Sequence, residues 1–450
     1  MSIKIPGVVW CWNRFHTQHS PPLNCNISIN ISTLLNFILH LKMSTSGFGT
    51  LPSGVSLDIK PFHAHVEEEK LQQFKKLLEL SPIAPAVFEN TNAGTKFGVT
   101  REWIKNAKDV WLNSFDWRKV EDRFNSFPNF KAPVKDGNGH EIEIQFLALF
   151  SKKPDAIPLT FLHGWPGSIC EFLDILDLLK SKYSPDDLPY HVIVPSLPGY
   201  GYSSGPPLDA DYGIETAAGA IHSLMVGLGF GSGYIAQGGD LGSFFCRVLA
   251  LKYDACKGIH VNQMPLPPLP TGELPTDPLQ IRALERGKEM VETGLAFLME
   301  HGTRAATIGF VLSASPLALL SWIGEKVLAW SDQDLPLDKI LEVITFYWFT
   351  DTMARCLYHN RDMGLPDEKP KIARTSVITG LISPGVPYIE KPCGYSAFYN
   401  EIVPVPKEWA AKTSNVVSFN EHDRGGHFAA MEMPKELLSD VEEYIQKVWK

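Results

Sequence analysis

Asp240 stands in Gly238-Gly239-Asp240-Leu241-Gly242, where the apolar run "GYIAQGG" gives way to the helix-forming "LGSFFCRVLALKY". Strand, sharp turn and helix with small residues two before and two after one reactive side chain is the frame of a nucleophile elbow. A strained turn there lifts that side chain above a sheet, and glycines are needed because a side chain would strike neighbouring backbone. Serine is the usual occupant. A carboxylate in its place attacks an electrophilic carbon and forms an ester that water must then hydrolyse. The competing reading is an N-cap for the helix that follows, but the glycine frame favours the nucleophile.

Hydrolysis of an ester needs a base and donors for the developing oxyanion. "TFLHGWPGS" ends a strand at His163-Gly164-Trp165-Pro166, so the backbone N–H groups of Trp165 and Leu241 are the candidate donors. The base is expected late in the chain, from the order nucleophile, acid, histidine. His427 in "EHDRGGHFAAME" sits in a glycine-flanked loop, which its competitor His422 lacks. For the orienting acid, Glu401 in "GYSAFYNEIVPVPKEW" and Asp423 both remain open, because an acidic residue by itself is usually solvated surface.

Positioning these groups requires strands that end at one rim. "EIEIQFLALF", "IPLTFLHG", "YHVIVPSLPGYG", "GYIAQGGD" and "KGIHVNQMP" read as strands, with helices between them at "SICEFLDILDLLKSKY", "GIETAAGAIHSLMVGLGF" and "LGSFFCRVLALKY". Such alternation predicts an α/β fold, a mostly parallel sheet with helices on both faces. The glycine run 227 to 233 precedes a strand rather than following one, so it reads as a turn and not as a dinucleotide loop.

The alternation stops at "PLPPLPTGELPTDP". Residues 278 to about 362 read as helices, "LQIRALERGKEMVETGLAFLMEHG", "SPLALLSWIGEKVLAW" and "LDKILEVITFYWFTDTMARCLY", an insertion expected over the strand ends. Strand-like "VPYIEKP" and "NVVSFN" return, and "PKELLSDVEEYIQKVW" closes the chain as a helix. Before residue 140 only helical periods are evident, as in "HVEEEKLQQFKKLLEL". The expected division is a leader over 1–42, an N-terminal helical meander over 56–139, a core over 140–264 and 376–450, and a helical lid over 265–375.

The chain has 450 residues, 44% hydrophobic and 20% charged, the composition of a folded globular protein with a large core. A net charge of −9 gives no reason to expect nucleic acid. Seven scattered cysteines, with no C-x-x-C pair and no histidines at zinc spacing, read as buried reduced thiols and a cytoplasmic compartment. No cofactor and no metal are expected, and "HAH" at 63 to 65 reads as surface. The leader reads as a disordered extension, with Met43 as an alternative start. Its stretch 27–41, the one candidate for a weak anchor, falls short of the roughly 20 apolar residues of a membrane span, and its sequons at Asn26 and Asn30 follow no secretory signal. Self-association as a homodimer is left open.

"FLHGWPGS", "PSLPGYGYSS", "QGGDLGS", "SPLALLSWIGEK", "GYSAFYNE" and "RGGHFAAMEMP" occur here in the order found in the microsomal-type epoxide hydrolases and their soluble fungal relatives. The chain resembles that family over residues 56 to 450, and "SFDWRKVEDRFNSFPNF" is similar to its N-terminal meander. The resemblance implies an α/β-hydrolase core with a lid, a small apolar epoxide as substrate, Asp240 as nucleophile, His427 as base and Glu401, over Asp423, as the acid orienting it. It also implies two lid tyrosines that grip and protonate the epoxide oxygen. Here their positions fall on Phe297 and Asn360, which leaves them as pocket residues, with Tyr358 two residues before Asn360 and Tyr399 elsewhere as replacement donors. A two-residue offset turns a side chain by about 200° on a regular helix. The departure admits three readings: an epoxide hydrolase of altered efficiency, an enzyme for an electrophile needing no proton donor, such as an alkyl halide, and a non-catalytic descendant.

Overall fold

The computed structural model describes residues 47–264, 275–364 and 387–450. The leader, its sequons and most of the proline-rich connection lie outside the described residues. Among the described residues nine strands form one sheet: β1 (Lys60–Pro61), β2 (Asn129–Lys135), β3 (Glu141–Leu149), β4 (Ile157–Leu162), β5 (Tyr190–Pro195), β6 (Tyr234–Gly238), β7 (Cys256–Val261), β8 (Ile389–Asn400) and β9 (Ser414–Gly426). Their order is β1-β2-β3-β5-β4-β6-β7-β8-β9. Pairing is antiparallel from β1 through β3 to β5 and parallel from β5 to β9. The central strands are apolar throughout, and β5 is buried at every position, because helices cover both faces.

Two strands lie where only helices were expected. β2 pairs with β3 over its whole length, Asn129 opposite Leu147 through Lys135 opposite Glu141, and β1 is a two-residue extension beyond it. Pro133 and three polar residues in "NFKAPVK" mask the strand signal, and they are tolerated because β2 lies near the sheet's edge. The helices before it, Glu68–Leu80, Arg101–Asn113 and Trp117–Phe124, pack against the lid. Phe74 meets Trp111 and Phe349, and the Trp111 indole donates to Thr345 Oγ1 at 2.9 Å.

The insertion after β7 is helical among the described residues. Pro316–Trp330 begins with Ser315 as N-cap, its hydroxyl accepting from the Ala318 N–H, and with Pro316 at the first helical position. The long stretch read as one helix from 337 breaks into Leu337–Phe349, Thr352–Cys356 and Tyr358–Gly364, with Asp351 at φ 51 ahead of the second. The lid is tied to the core at its far end, where the Trp330 carbonyl accepts from the His427 N–H at 3.0 Å. Among the described residues no single helix is long and apolar enough to cross a membrane. The five described cysteines are buried and unpaired, and His63 and His65 are exposed.

Candidate active site

Four strands of the parallel part of the sheet deliver the site from their carboxyl ends, where α/β sheets characteristically place their chemistry. β4 leads into Trp165, β6 into Asp240, β8 into Glu401 and β9 into His427. At the elbow Asp240 takes φ 45, a left-handed conformation that is strained for a residue with a side chain. The glycines around it are steric requirements. A Cβ on Gly238 would lie 2.5 Å from the Gly242 backbone, and one on Gly242 would lie 2.0 Å from the Leu162 carbonyl oxygen. A Cβ on Gly164 would lie 2.3 Å from Asp240 Oδ1. The carboxylate is thus pressed directly against the turn after β4.

That closeness creates the donor pair. The Trp165 N–H donates to Asp240 Oδ1 at 2.7 Å, and the Leu241 N–H donates to the same carboxylate. His163 holds the turn rather than joining the chemistry. It is buried, accepts from the Leu197 N–H on Nε2 and donates from Nδ1 to the Gly164 carbonyl, and burial lowers its pKa to about 4.

His427 Nδ1 donates to Glu401 Oε1 at 2.7 Å, and its Nε2 lies 3.5 Å from Asp240 Oδ2. The glycines before it are needed because a Cβ on Gly426 would lie 2.6 Å from the Trp330 carbonyl oxygen. Burial works against charging this imidazole. The Glu401 carboxylate, through its charge and hydrogen bond, and then the charge of Asp240 outweigh it and raise the pKa to about 9. Burial also raises the Asp240 pKa, opposed by the His427 charge and the two backbone donors. At neutral pH the resting imidazole is therefore charged and faces the Asp240 carboxyl.

The alternatives sit elsewhere. His422 pairs with Asp440 at 2.7 Å and stacks on Phe398, and Asp423 is exposed. Tyr358 corrects an expectation. Its hydroxyl donates to the Pro198 carbonyl at 3.0 Å and its ring packs on Tyr212, away from the cavity at Asp240, because it opens a new helix two residues before Asn360. The Tyr399 hydroxyl donates to Glu421.

Asp240 borders two cavities. The one beneath the lid, about 80 Å³, is lined chiefly by apolar side chains, among them Trp165, Phe297, Leu298 and Trp330, together with His359 and Asn360. Phe297 stacks on Trp165 with ring centres 5.1 Å apart. The other, about 20 Å³, lies among Gly167, Glu171, Asn262, His427 and Phe428.

Three polar residues at this site, two of them buried, gave no signal in the sequence. His301 Nε2 accepts from the Trp322 indole at 3.0 Å, and an indole only donates, so the His301 proton is on Nδ1 and is given to Asn360 Oδ1 at 2.9 Å. The Asn360 Nδ2 group is thereby fixed as a donor. Burial lowers the His301 pKa to about 4, so this relay stays neutral. His359 donates from Nδ1 to the Cys356 carbonyl and leaves Nε2 as a buried acceptor. Glu171 enters through the second cavity. Among the described residues no group of three or more His, Cys, Asp or Glu is arranged to hold a metal ion.

A family model described as the epoxide hydrolase N terminus matches residues 59–172, and an alpha/beta hydrolase fold model matches residues 157–283. A protein of Dothistroma septosporum assigned by name to the epoxide hydrolases is 46% identical over 405 residues, covering 89% of this chain and 92% of its own. The chain belongs to the epoxide hydrolase family. Its likeness to the solved Aspergillus niger epoxide hydrolase has a TM-score of 0.81 at 43% identity and covers 89% of this epoxide hydrolase and all of that chain. Epoxide hydrolase 1 of Sus scrofa is 28% identical, covering 93% of this chain and 98% of its own. The mostly parallel α/β sheet expected from the strand pattern, and the α/β-hydrolase core that the resemblance implies, are the fold of this chain.

Proposed function

We propose that this chain hydrolyses small apolar epoxides through a covalent ester on Asp240. The observation that carries this reading is one carboxylate held at an elbow between two backbone donors, with His427 3.5 Å away and an apolar cavity above it. Asp240 Oδ2 attacks a ring carbon, the C–O bond of the epoxide breaks and its oxygen takes up a proton from solvent water. Water then adds to the Asp240 carboxyl carbon while His427 removes its proton. The negative charge gathers on Oδ1, where Trp165 already donates, with the Leu241 N–H directed to the same carboxyl group. Collapse releases the diol and restores the carboxylate, and the proton taken up in the first half is returned in the second.

Ester formation also switches the base on. His427 is charged in the resting state partly because Asp240 is negative. Esterification removes that charge, the imidazole pKa falls, and the neutral form needed to deprotonate water becomes accessible. The leaving oxygen meets the Asn360 amide in place of a phenol. An amide shares its hydrogen but does not give it up, so ring opening receives less help than a phenol would supply. A second reading, an electrophile such as an alkyl halide that needs no proton on departure, draws on the same feature, Phe297 and Asn360 at the cavity wall.

The test is intact-mass analysis of the His427→Gln variant after exposure to a panel of aryl and alkyl epoxides. An adduct of the full epoxide mass on Asp240, absent from the Asp240→Ala variant, is the expected result. No adduct from any epoxide, or an adduct that persists without Asp240, overturns the reading. Halide release from alkyl halides with no diol from epoxides selects the second.

A further inference from the structure

We propose that Glu171 is a water-positioning residue, which with His427 Nε2 holds the water that hydrolyses the Asp240 ester in the small cavity beside that carboxylate. The inference rests on the covalent reading above and extends it to a residue that neither the motif nor the triad includes.

The argument begins with volume. A site for one water needs roughly 10–15 Å³, and this cavity offers about 20 Å³. It is too small for an epoxide with any substituent, and it is separate from the larger, apolar cavity under the lid. Its wall is polar where a water would need partners: the Glu171 carboxyl, His427, Asp240 and the Asn262 side chain. A nucleophilic water must sit on a different side of the carboxyl carbon from the departing alcohol, and the two cavities at Asp240 supply those two sides.

The placement of Glu171 is specific. It lies in the short helix Ile169–Phe172 immediately after the Trp165 turn, and a Cβ on Gly167 would fall 1.2 Å from Glu171 Oε1. The carboxyl therefore occupies the space any side chain at 167 would fill, and the glycine there is required by the acid. The charged groups that act on it are His427 and Asp240, with a backbone contact from Ser168; Glu401 acts on it only by way of His427. Burial is the largest influence and, with the Asp240 charge, raises the Glu171 pKa to about 8 against the His427 charge. At neutral pH Glu171 is a carboxylic acid with both a donor and an acceptor for water. In the hydrolytic step one water hydrogen goes to His427 Nε2, the other is held by a Glu171 oxygen, and the water oxygen bonds to the Asp240 carboxyl carbon as the ester C–O bond breaks.

The experiment is single-turnover rapid quench with the full chain in excess over an aryl epoxide, with ester and diol quantified separately. Glu171→Leu is expected to leave the rate of ester formation within about threefold while ester hydrolysis slows by about a hundredfold, the cost of a misplaced nucleophile. Glu171→Gln keeps the shape and both hydrogen-bonding functions. It is expected to slow hydrolysis by about tenfold or less and to remove the Glu171 inflection from the pH profile of hydrolysis, a change that a purely structural role does not produce. Hydrolysis at the wild-type rate in Glu171→Leu overturns the proposal, as does an equal slowing of both halves or an unchanged pH profile in Glu171→Gln. Absence of any ester in wild type and in His427→Gln instead overturns the covalent reading on which it stands.

Discussion

Replacing Glu401 by glutamine separates the charge of the orienting acid from its shape. The Glu401 side chain is buried, with Oε1 accepting from His427 Nδ1 at 2.7 Å and from the Ile402 N–H at 2.6 Å. An amide oxygen can keep both hydrogen bonds, so the imidazole retains its orientation while its largest charge partner disappears. In the wild type that partner, together with the Asp240 charge, outweighs burial and carries His427 from the ordinary 6.5 to about 9. At about 1.4 kcal/mol per pH unit, the rise amounts to about 3 kcal/mol favouring the imidazolium. Without Glu401, burial is opposed only by the remaining charges and the titration midpoint falls well below that of the wild type. The imidazolium that forms as water is deprotonated loses the same support. Ester hydrolysis should therefore slow by up to roughly 150-fold, while ester formation, which does not use the base, changes little. Histidine NMR titration, with His427→Gln to assign the resonance, reads the first quantity and rapid quench reads the second. A midpoint still near 9, or hydrolysis at the wild-type rate, refutes the reasoning.

Gly164→Ala places a methyl group 2.3 Å from Asp240 Oδ1, so either the nucleophile or the Trp165 donor must move. Ester formation should fall by about a hundredfold or more with the folded state retained by circular dichroism, and an unimpaired rate shows that the donor turn is not needed. Asn360→Leu removes the donor fixed by His301. It should slow ester formation by about ten- to a hundredfold and leave ester hydrolysis unchanged; equal effects on both steps in rapid quench would assign Asn360 to packing alone.

Much of the site is legible because its elements follow from steric necessity. A glycine two residues on either side of Asp240, and glycines before His427, mark places where backbone passes too close for a Cβ, and such constraints are written locally in the sequence. What escaped depends on partners far along the chain. β2 is a strand because β3 pairs with it, and its proline and lysines give no such signal. A glutamate in the first turn of a helix, such as Glu171, ordinarily reads as complementing the helix dipole, and only the fold sets it beside His427. His301 and Trp322 fix the Asn360 amide from two other lid helices. The break at Asp351 and the new start at Tyr358 decide which lid side chains reach the cavity, and no proline or glycine marks that break.

Trp165 joins the two halves of the molecule. Its amide belongs to the core and restrains the nucleophile, while its indole is clasped by Phe297, His301 and Trp330 of the lid. A guest bulky enough to pry those rings apart would tug on the peptide that steadies Asp240. Oversized molecules should therefore be rejected in kcat as well as in affinity, so that selectivity for size and competence for reaction are one property of a single residue.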